Sequence, residues 1–279
     1  MPTPPTALTI TGERTVPGVA SENYWFRRHE AGYAAVPGWV STTPRVVLDA
    51  GCGEGYAAAL LRGAWTDVCV VGIDYDTLTT THAARTHGGS RAAYLRGALT
   101  ALPMATESAD VTVSLQVLEH IWTPDEYVRE LARVTQPGGT LVLSTPNRLS
   151  FSPGLGRREK PSNLYHCREY DAKELATELS RWLPGAEVTV LGLGHGERLL
   201  RWESEHGSMV AAQQDRTPED WDEQLMRVVG SVSVDDFGLG APDDDCLDLF
   251  AVVRLQGSRN RVDRRSPQPS SVVRRPDLS

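Results

Sequence analysis

Three glycines spaced two residues apart follow a short apolar segment and a carboxylate. The segment is Val46-Val47-Leu48-Asp49-Ala50-Gly51-Cys52-Gly53-Glu54-Gly55. Its apolar part has the length of a buried parallel strand, and glycines let the following loop lie close against a ligand. A second apolar segment ends in Asp74, 19 residues after Gly55, where a carboxylate can bind both hydroxyls of a ribose. The pattern predicts a nucleoside site.

The glycine spacing separates two classes of nucleoside ligand. Dinucleotide-binding loops use G-x-G-x-x-G, which places a pyrophosphate at a helix N-terminus, whereas this loop is G-x-G-x-G. Asp49 would repel a phosphate but would suit the ammonium group of an amino acid. S-adenosylmethionine carries such an ammonium and no phosphate, so we expect it to be the cofactor. A glycine-rich turn with an N-capping Asp49 is the alternative, which the position of Asp74 disfavours.

Apolar strands alternate with helical segments around this loop, as in a doubly wound α/β sheet. A helix is predicted over 21–36, ahead of the loop. The other predicted strands and helices follow in chain order: strands 45–50, 68–73, 93–96, 109–115, 140–145, 186–192 and 246–255, and helices 54–63, 77–87, 123–135 and 171–182. Pro137-Gly138-Gly139 is expected to be a turn. The irregular segments 146–170 and 194–240 are expected to be substrate-side inserts.

Length, charge and composition limit the class of protein. The 279 residues are 40% hydrophobic and carry a formal net charge of -8, which suits one enzyme domain and disfavours a nucleic-acid partner. We find no apolar run near the roughly 20 residues of a membrane span and no signal-peptide pattern, so we expect a cytoplasmic protein. We divide the chain into an extension (1–20), a catalytic domain (21–256) and a disordered tail rich in Arg, Pro and Ser (257–279). The oligomeric state stays open.

Several motifs together resemble those of class I S-adenosylmethionine-dependent methyltransferases over about residues 45–192. The motifs are Asp49-Ala50-Gly51-Cys52-Gly53-Glu54-Gly55, Asp74, Leu102-Pro103, Ala109-Asp110-Val111, Val117-Leu118-Glu119-His120 and Gln136-Pro137-Gly138-Gly139. The resemblance implies a Rossmann-like, mostly parallel sheet of seven strands whose last strand is antiparallel. It also implies an N-terminal helix, a C-terminal insert or lid, and a cofactor bound over the carboxyl ends of the first strands.

The same resemblance implies which residues bind the cofactor. Asp49 and the glycines would line its methionine end, Asp74 would bind the ribose, and Gln116 would form the floor after the fourth strand. Arg28 would pair with the cofactor carboxylate, unless it belongs to a solvated helix face. The complete expected set is Asp49, Gly51, Cys52, Gly53, Gly55, Asp74, Tyr75, Leu99, Gln116, Tyr24 and Arg28. Ala98 stands where the family often has an Asp for the adenine amine, so backbone groups and apolar packing must hold the adenine.

A closer resemblance covers nearly the whole chain up to about residue 255. It is to an actinobacterial methyltransferase group associated with methylglucose lipopolysaccharide assembly, whose members are proposed sugar O-methyltransferases. The segments that carry it are 11–18, 22–30, Ser144-Thr145-Pro146-Asn147-Arg148 and His195-Gly196-Glu197-Arg198-Leu199. This resemblance implies a carbohydrate or other small-molecule acceptor.

Methyl transfer to an alcohol needs an aligned acceptor and either a base or a metal ion to remove the proton. His120 is the candidate base, directly after Glu119 at the end of the fourth strand. Gln116-x-x-Glu119-His120 also resembles the E-x-x-E-H metal site of some O-methyltransferases, which a later histidine, here His166, would complete with a divalent ion such as Mg²⁺. Gln116 replaces the first carboxylate of that site. A purely structural role for Glu119 and His120 is the third interpretation.

Other functions compatible with the sequence differ in what the site must do. An N- or C-methyltransferase of a natural product or quinone-like metabolite would need no metal and less of a base. A nucleoside-binding protein without catalysis would not need Glu119 and His120. Within the second insert, His195, Trp202 and His206 would suit a carbohydrate lid, although a surface helix explains them nearly as well.

Overall fold

The sheet dominates the computed structural model, which describes residues 15, 17–161 and 163–257. Most of the predicted extension and nearly all of the predicted tail lie outside these residues. The strands are β1 (Val46–Ala50), β2 (Cys69–Asp74), β3 (Ala92–Arg96), β4 (Ala109–Leu115), β5 (Thr135–Pro146), β6 (Glu187–His195), β7 (Phe237–Gly240) and β8 (Asp248–Arg254).

The strand order is β3-β2-β1-β4-β5-β8-β6-β7. Strands β1 to β5 pair in parallel, while β8 runs antiparallel to both β5 and β6. This confirms the predicted class I fold with an antiparallel last strand. The described residues form eight strands rather than seven, because the second insert adds β7 antiparallel to β6.

Helices cover both faces of the sheet. They are α1 (Asn23–Trp39), α2 (Ala57–Ala64), α3 (Thr77–His87), α4 (Pro124–Val134), α5 (Arg148–Phe151), α6 (Ala172–Trp182), α7 (Glu197–His206), α8 (Met209–Gln214) and α9 (Glu223–Gly230). Successive side chains of a strand point to opposite faces. Val47 accordingly packs with residues of α1 and α2, whereas Leu48 packs with residues of α4 and α6.

Local sequence explains where several of these helices begin. The Asp76 carboxylate accepts from the Leu78 and Thr79 amides at the start of α3, as N-capping residues do. Helix α4 begins at Pro124, in agreement with the prediction, although the side chain of Thr123 makes no capping bond. Helix α2 begins at residue 57 rather than 54, because Gly55 has a φ of +94°, which a right-handed helix excludes.

The predicted turn at residues 137–139 is wrong, since these residues belong to β5. They form an irregularity in that strand: Ala109 pairs with Thr135, but Val111 already pairs with Thr140. The longer strand must therefore bulge. A Cβ at Gly139 would lie 2.8 Å from the carbonyl oxygen of Asp110, so the bulge requires glycine.

The carboxyl ends of β1, β2, β4 and β5 lie along one edge of the sheet. Strands β2 and β4 flank β1 on opposite sides, so β1 and β4 form the switch point where open α/β sheets bind ligands. Asp49 and Asp74 lie at the ends of β1 and β2, and Glu119 and His120 follow β4. The fold thus brings them to a common edge.

A prediction follows for the tightly packed end of the glycine loop. A Cβ at Gly55 would lie 2.7 Å from the Ala83 Cβ and 2.9 Å from the Tyr94 ring, and its φ is +94°. We expect Gly55→Ala to lower the free energy of unfolding by roughly 2 kcal/mol, through overpacking and backbone strain. Gly63→Ala, at an open helical position, is the control and should be neutral or stabilising. Equal effects in chemical denaturation would contradict this account.

Candidate active site

The loop after β1 is held in shape by its backbone. Gly51, Gly53 and Gly55 all have positive φ values, of +83°, +51° and +94°. The amides of Gly51 and Cys52 donate to the Ile73 carbonyl at 2.7 and 3.1 Å, which ties the loop to β2. A Cβ at Gly51 would collide with Val117, whereas one at Gly53 would meet nothing within 4 Å. The loop therefore packs against the protein at Gly51 and leaves open space at Gly53.

Asp49 is the next-to-last residue of β1, just before this loop, and is 1% exposed. The Tyr33 hydroxyl donates to its Oδ1 at 3.0 Å. Burial raises the pKa of Asp49 to about 7, although the bond from Tyr33 opposes the shift and the charge of Asp74 adds to it. A cationic group placed beside this carboxylate would favour its ionised form. That Asp49 binds the ammonium group of the cofactor stays a prediction.

Asp74 lies at the end of β2 and faces the same loop. Its Oδ2 accepts from the Gly53 amide at 3.1 Å and its Oδ1 from the Asp76 amide at 3.0 Å. Each carboxylate oxygen has a second lone pair, so this oriented group retains the capacity to accept from two hydroxyls. Tyr75, the next residue, is 74% exposed.

Cys52 and Leu99 have packing roles in the structure. Cys52 is buried, and its Sγ would lie 2.9 Å from a Cβ at Gly72. Leu99 packs against the core on the face that holds α4 and α6, and its Cδ1 would lie 3.6 Å from a Cβ at Gly51. Their contact with the cofactor stays a prediction.

Gln116 directly follows β4 and has a φ of +56°, a conformation that costs a non-glycine residue of the order of 1–3 kcal/mol. Hydrogen bonds offset that cost. Its amide donates to the Ser144 carbonyl at 3.1 Å, and its Nε2 donates to the Ser144 Oγ at 2.9 Å and the Asp248 Oδ1 at 3.2 Å. Such fixed strain is typical of functional sites.

Arg28 makes a buried ion pair that the sequence did not reveal. Its Nε and Nη2 donate to the two carboxylate oxygens of Asp248, each at 2.7 Å, and Nη2 also donates to the Gln116 Oε1 at 3.2 Å. The guanidinium lies over the rings of Trp25 and Phe151. In the structure the partner of Arg28 is Asp248. Its predicted pairing with the cofactor carboxylate stays a prediction. In the sequence, Asp248 stands out only as a single acidic residue at the start of an apolar strand.

Tyr24, also predicted to bind the cofactor, has a different partner in the structure. It is 0% exposed, and its hydroxyl lies 2.7 Å from the Nε2 of His195. The His195 Nδ1 lies 2.9 Å from the Glu203 Oε2. These contacts join α1 to the second insert and bury His195, so the structure gives Tyr24 and His195 a packing role.

Glu119, His120 and His166 come together as predicted for a catalytic or metal site, although 46 residues separate the two histidines. Their candidate ligand atoms all lie within 4.8 Å of one another. The Glu119 Oε1 is 3.9 Å from the His120 Nε2, and the two imidazole rings are 5.0 Å apart. Glu119 is 1% exposed, and burial raises its pKa while the two histidines lower it.

Second contacts orient both imidazole rings. The His120 Nδ1 donates to the Tyr165 carbonyl at 3.0 Å, and the His166 Nδ1 lies 2.6 Å from the Glu169 Oε1. The neutral His120 ring thus carries its proton on Nδ1, so its Nε2 is the nitrogen that can act as a base or a metal ligand. The His166 Nε2 accepts from the Asn163 Nδ2 at 3.0 Å. The amides of Cys167 and Arg168 both approach the Glu119 carbonyl, at 2.6 and 3.3 Å. These bonds hold the first insert against the end of β4.

A cavity of about 220 Å³ lies between α1, the ends of β4 and β5 and the first insert. Five residues predicted for the site, Arg28, Gln116, Glu119, His120 and His166, line it together with residues that were not predicted. They include Glu22, Trp25, His29, Asn163 and Gln214. Burial, with the charge of Arg28, lowers the pKa of His29 to about 3, so its ring is neutral at physiological pH. His29 follows Arg28 on α1, and only the packing of that helix reveals its position.

The buried Asp49 carboxyl predicts a specific pH dependence of stability. Its folded pKa of about 7 lies above the unfolded value of about 3.9. The folded state therefore keeps a proton that the unfolded state loses, and stability from this group falls as pH rises from about 4 to about 7. The free energy of unfolding of wild type should therefore fall between pH 5 and pH 8, whereas that of Asp49→Asn should not. We expect the difference between the two proteins to change by roughly 2–4 kcal/mol over this range, in favour of Asp49→Asn.

Denaturant unfolding of both proteins at the two pH values measures this difference. Asp67→Asn is the control, because Asp67 is 95% exposed in its side chain and should show little change. A stability difference between wild type and Asp49→Asn that is the same at pH 5 and pH 8 would refute the assigned shift.

Comparisons with known proteins agree with this geometry. Residues 48–143 match a family described as a methyltransferase domain. A "probable S-adenosylmethionine-dependent methyltransferase" of Mycolicibacterium smegmatis is 45% identical over 258 residues, 89% of this chain and 95% of that protein. A protein of Mycobacterium tuberculosis with the same description is 41% identical over 256 residues, 89% and 90% of the two chains.

Solved structures share the fold at low sequence identity. A Thermotoga maritima protein described as an S-adenosylmethionine-dependent methyltransferase and possible histamine N-methyltransferase has a TM-score of 0.55 and 15% identity, over 83% of this chain and 93% of that chain.

Within the described residues, no helix has both the length and the apolar character needed to cross a bilayer. Residues 48–143 match the methyltransferase family, and the two mycobacterial relatives match this chain over at least 90% of their own length. This chain therefore belongs to the S-adenosylmethionine-dependent methyltransferases.

Proposed function

We propose that this methyltransferase methylates a hydroxyl group of a carbohydrate or similar small acceptor. The convergence of Glu119, His120 and His166 in a cavity at the end of β4 is the observation that carries the proposal. An alcohol is a poor nucleophile until its proton is removed, so an oriented imidazole at this position favours an oxygen acceptor over a nitrogen or carbon acceptor. The names of the two mycobacterial relatives specify no acceptor, and the resemblance to sugar methyltransferases supplies that part of the proposal.

The residues around the loop after β1 fit S-adenosylmethionine. The open space at Gly53 allows close approach of a ligand, the Asp74 carboxylate is oriented by two amides, and Asp49 suits the cofactor ammonium. When bound, the cofactor supplies a methyl group that its sulfonium already activates. The chain itself must then bind the two substrates, exclude water and accept one proton.

His120 is the residue we assign to proton removal. Its Nδ1 is committed to the Tyr165 carbonyl, so its Nε2 is the atom that accepts the hydroxyl proton. The carboxylate of Glu119, 3.9 Å from that nitrogen, stabilises the imidazolium that results. We place the acceptor in the 220 Å³ cavity, where Glu22, Asn163 and Gln214 offer hydrogen bonds to further hydroxyls. The two inserts contribute these last two residues, in agreement with a substrate-side role.

A divalent metal ion is the second candidate role for the same three side chains. The Oε2 of Glu119 is buried and has no hydrogen-bond partner among the described residues, and the Nδ1 atom of each histidine is anchored as in metal-bound imidazoles. An ion at the His166 Nε2 would have to displace the Asn163 amide, whose Nδ2 lies 3.0 Å from that nitrogen. Gln116 does not complete the set, since its Oε1 accepts from Arg28. One carboxylate with two imidazoles suits Mn²⁺, Fe²⁺ or Zn²⁺ better than the Mg²⁺ expected from the sequence.

A screen of glycosides with methyl-labelled S-adenosylmethionine tests the proposed function. We expect transfer to a sugar hydroxyl, and we expect His120→Ala to lower kcat about 10²- to 10⁴-fold with unchanged cofactor affinity in calorimetry. Arg129→Ala, at an exposed position of α4 outside the cavity lining, is the control and should retain full activity. Transfer only to amine or carbon acceptors, or full turnover by His120→Ala, would reject the assignment.

Chelation separates the base from the metal. Because we assign proton removal to His120, we expect turnover to survive treatment with EDTA followed by gel filtration. Activity that is lost and then restored by added Mn²⁺ or Mg²⁺ would replace the general base with a metal centre. The variant His166→Ala gives a second way to distinguish the two roles. If the site binds a metal ion, His166→Ala should lower turnover as much as His120→Ala; if His120 is a general base, it should lower turnover less.

A further inference from the structure

The two most exposed large apolar side chains in the described part of the chain, Trp122 and Leu164, lie beside the candidate active site, and Tyr165 is next to Leu164. Trp122 is 83% exposed, Leu164 is 82% exposed and Tyr165 is 62% exposed. Large aromatic side chains are usually buried, because each can remove 150–250 Å² of mostly apolar surface from water. Exposure of a tryptophan and a tyrosine at the same place therefore indicates a surface that binds something.

The chain itself carries Trp122 on the catalytic segment, and hydrogen bonds join the segment of Tyr165 to it. Trp122 follows the short helix Leu118–His120 by two residues. The Tyr165 carbonyl accepts from the His120 Nδ1 at 3.0 Å, and the Tyr165 amide donates to the Asn163 Oδ1 at 2.9 Å. The Cys167 thiol donates to the His120 carbonyl at 3.3 Å. The two segments that carry the exposed rings are thus joined at His120.

We call their position the rim of the cavity, because none of the three lines it but each is within two residues in the chain of one that does. His120, Asn163 and His166 line the cavity; Leu164 and Tyr165 lie between two of these residues, and Trp122 lies just beyond the third. The cavity volume of about 220 Å³ is below the roughly 300–1,000 Å³ of sites that enclose a whole ligand. An acceptor longer than one ring must therefore extend past this rim.

We propose that Trp122, with Tyr165, forms a stacking platform for a second sugar ring of the acceptor, so that the enzyme acts on linked sugars rather than on a single one. This inference rests on the proposed carbohydrate acceptor. A pyranose has a hydroxyl-bearing edge and an apolar face of C–H groups, and that face packs against the electron-rich face of an indole or phenol ring. The cavity binds the edge of the reacting sugar, and the platform binds the face of its neighbour.

The negative charge of the protein near Trp122 favours a neutral sugar over a lipid surface as the ligand of the platform. Helix α4 begins two residues after Trp122 with Asp125 and Glu126 in its first turn, and the whole chain has a formal net charge of -8. Acidic groups beside the platform would be repelled by an anionic membrane surface. A neutral, hydroxyl-rich ligand carries no such cost, and exposed Thr123 next to Trp122 can bond to it.

Binding assays test the platform without requiring turnover. The probes are methyl glycosides of glucose and mannose and their di- and trisaccharides, titrated by calorimetry with S-adenosylhomocysteine present. We expect the disaccharide of the preferred series to bind about three- to tenfold more tightly than the monosaccharide, as one stacked ring would contribute. Trp122→Ala should remove this gain and leave monosaccharide binding unchanged, whereas Trp122→Phe should keep most of it. Leu200→Ala, at another exposed apolar position, should change neither value.

Fluorescence gives a second readout of the same contact. In wild type the disaccharide should protect part of the tryptophan emission from acrylamide quenching, and Trp122→Phe should lose that protection. Saccharides that fail to bind, or a gain in affinity that persists in Trp122→Ala, would overturn the platform. A wild-type dimer that Trp122→Ala converts to a monomer in sedimentation would also overturn it, since the patch would then bind a second copy of the chain.

Failure of the platform and failure of the proposed function have different signatures. Methylation of monosaccharides with no Trp122-dependent gain for longer sugars would reject the platform alone. A Trp122-dependent gain in binding, with no transfer to any sugar hydroxyl, would reject sugar O-methylation while leaving the stacking contact in place.

Discussion

The buried ion pair between Arg28 and Asp248 is the contact on which the arrangement of the active site depends. It joins α1 to the start of β8, and Gln116 at the end of β4 bonds to both partners. Removal of one partner from such a pair costs about 3–5 kcal/mol, because the other charge is left buried and unpaired. The pair therefore holds α1 over the carboxyl edge of the sheet, and it places Trp25 and His29 in the cavity wall.

This pair contributes geometric specificity more than stability, since well-packed apolar residues can often replace a buried ion pair without loss. Two bonds of 2.7 Å from one guanidinium to one carboxylate allow only a narrow range of positions for α1. The same network stabilises the left-handed conformation of Gln116, which turns the chain from β4 into the segment that carries Glu119 and His120. The predicted cofactor edge and the cavity proposed for the acceptor thus share one structural anchor.

The two halves of the site are built from different kinds of interaction. On the cofactor side, backbone conformation is decisive: glycines with positive φ, and amides that orient Asp74. On the acceptor side, side chains from α1, β4, the first insert and α8 converge, and each is positioned by contacts with distant segments. Backbone-built sites tolerate wide variation elsewhere in the chain, whereas side-chain-built sites change with single substitutions. A fold shared by many methyltransferases therefore does not identify the acceptor.

By itself the sequence determined the class of fold, most strands and helices outside the two inserts, and the family that the cofactor loop indicates. These features depend on local periodicity and on glycine and acid spacing, which neighbouring residues encode. Only the tertiary structure decided that Asp248 pairs with Arg28, that His195 takes the Tyr24 hydroxyl, and that residues 137–139 extend β5 instead of forming a turn. Each of these outcomes depends on which strand ends and loops meet in space, and residues that are far apart in the chain leave no local signal of that meeting.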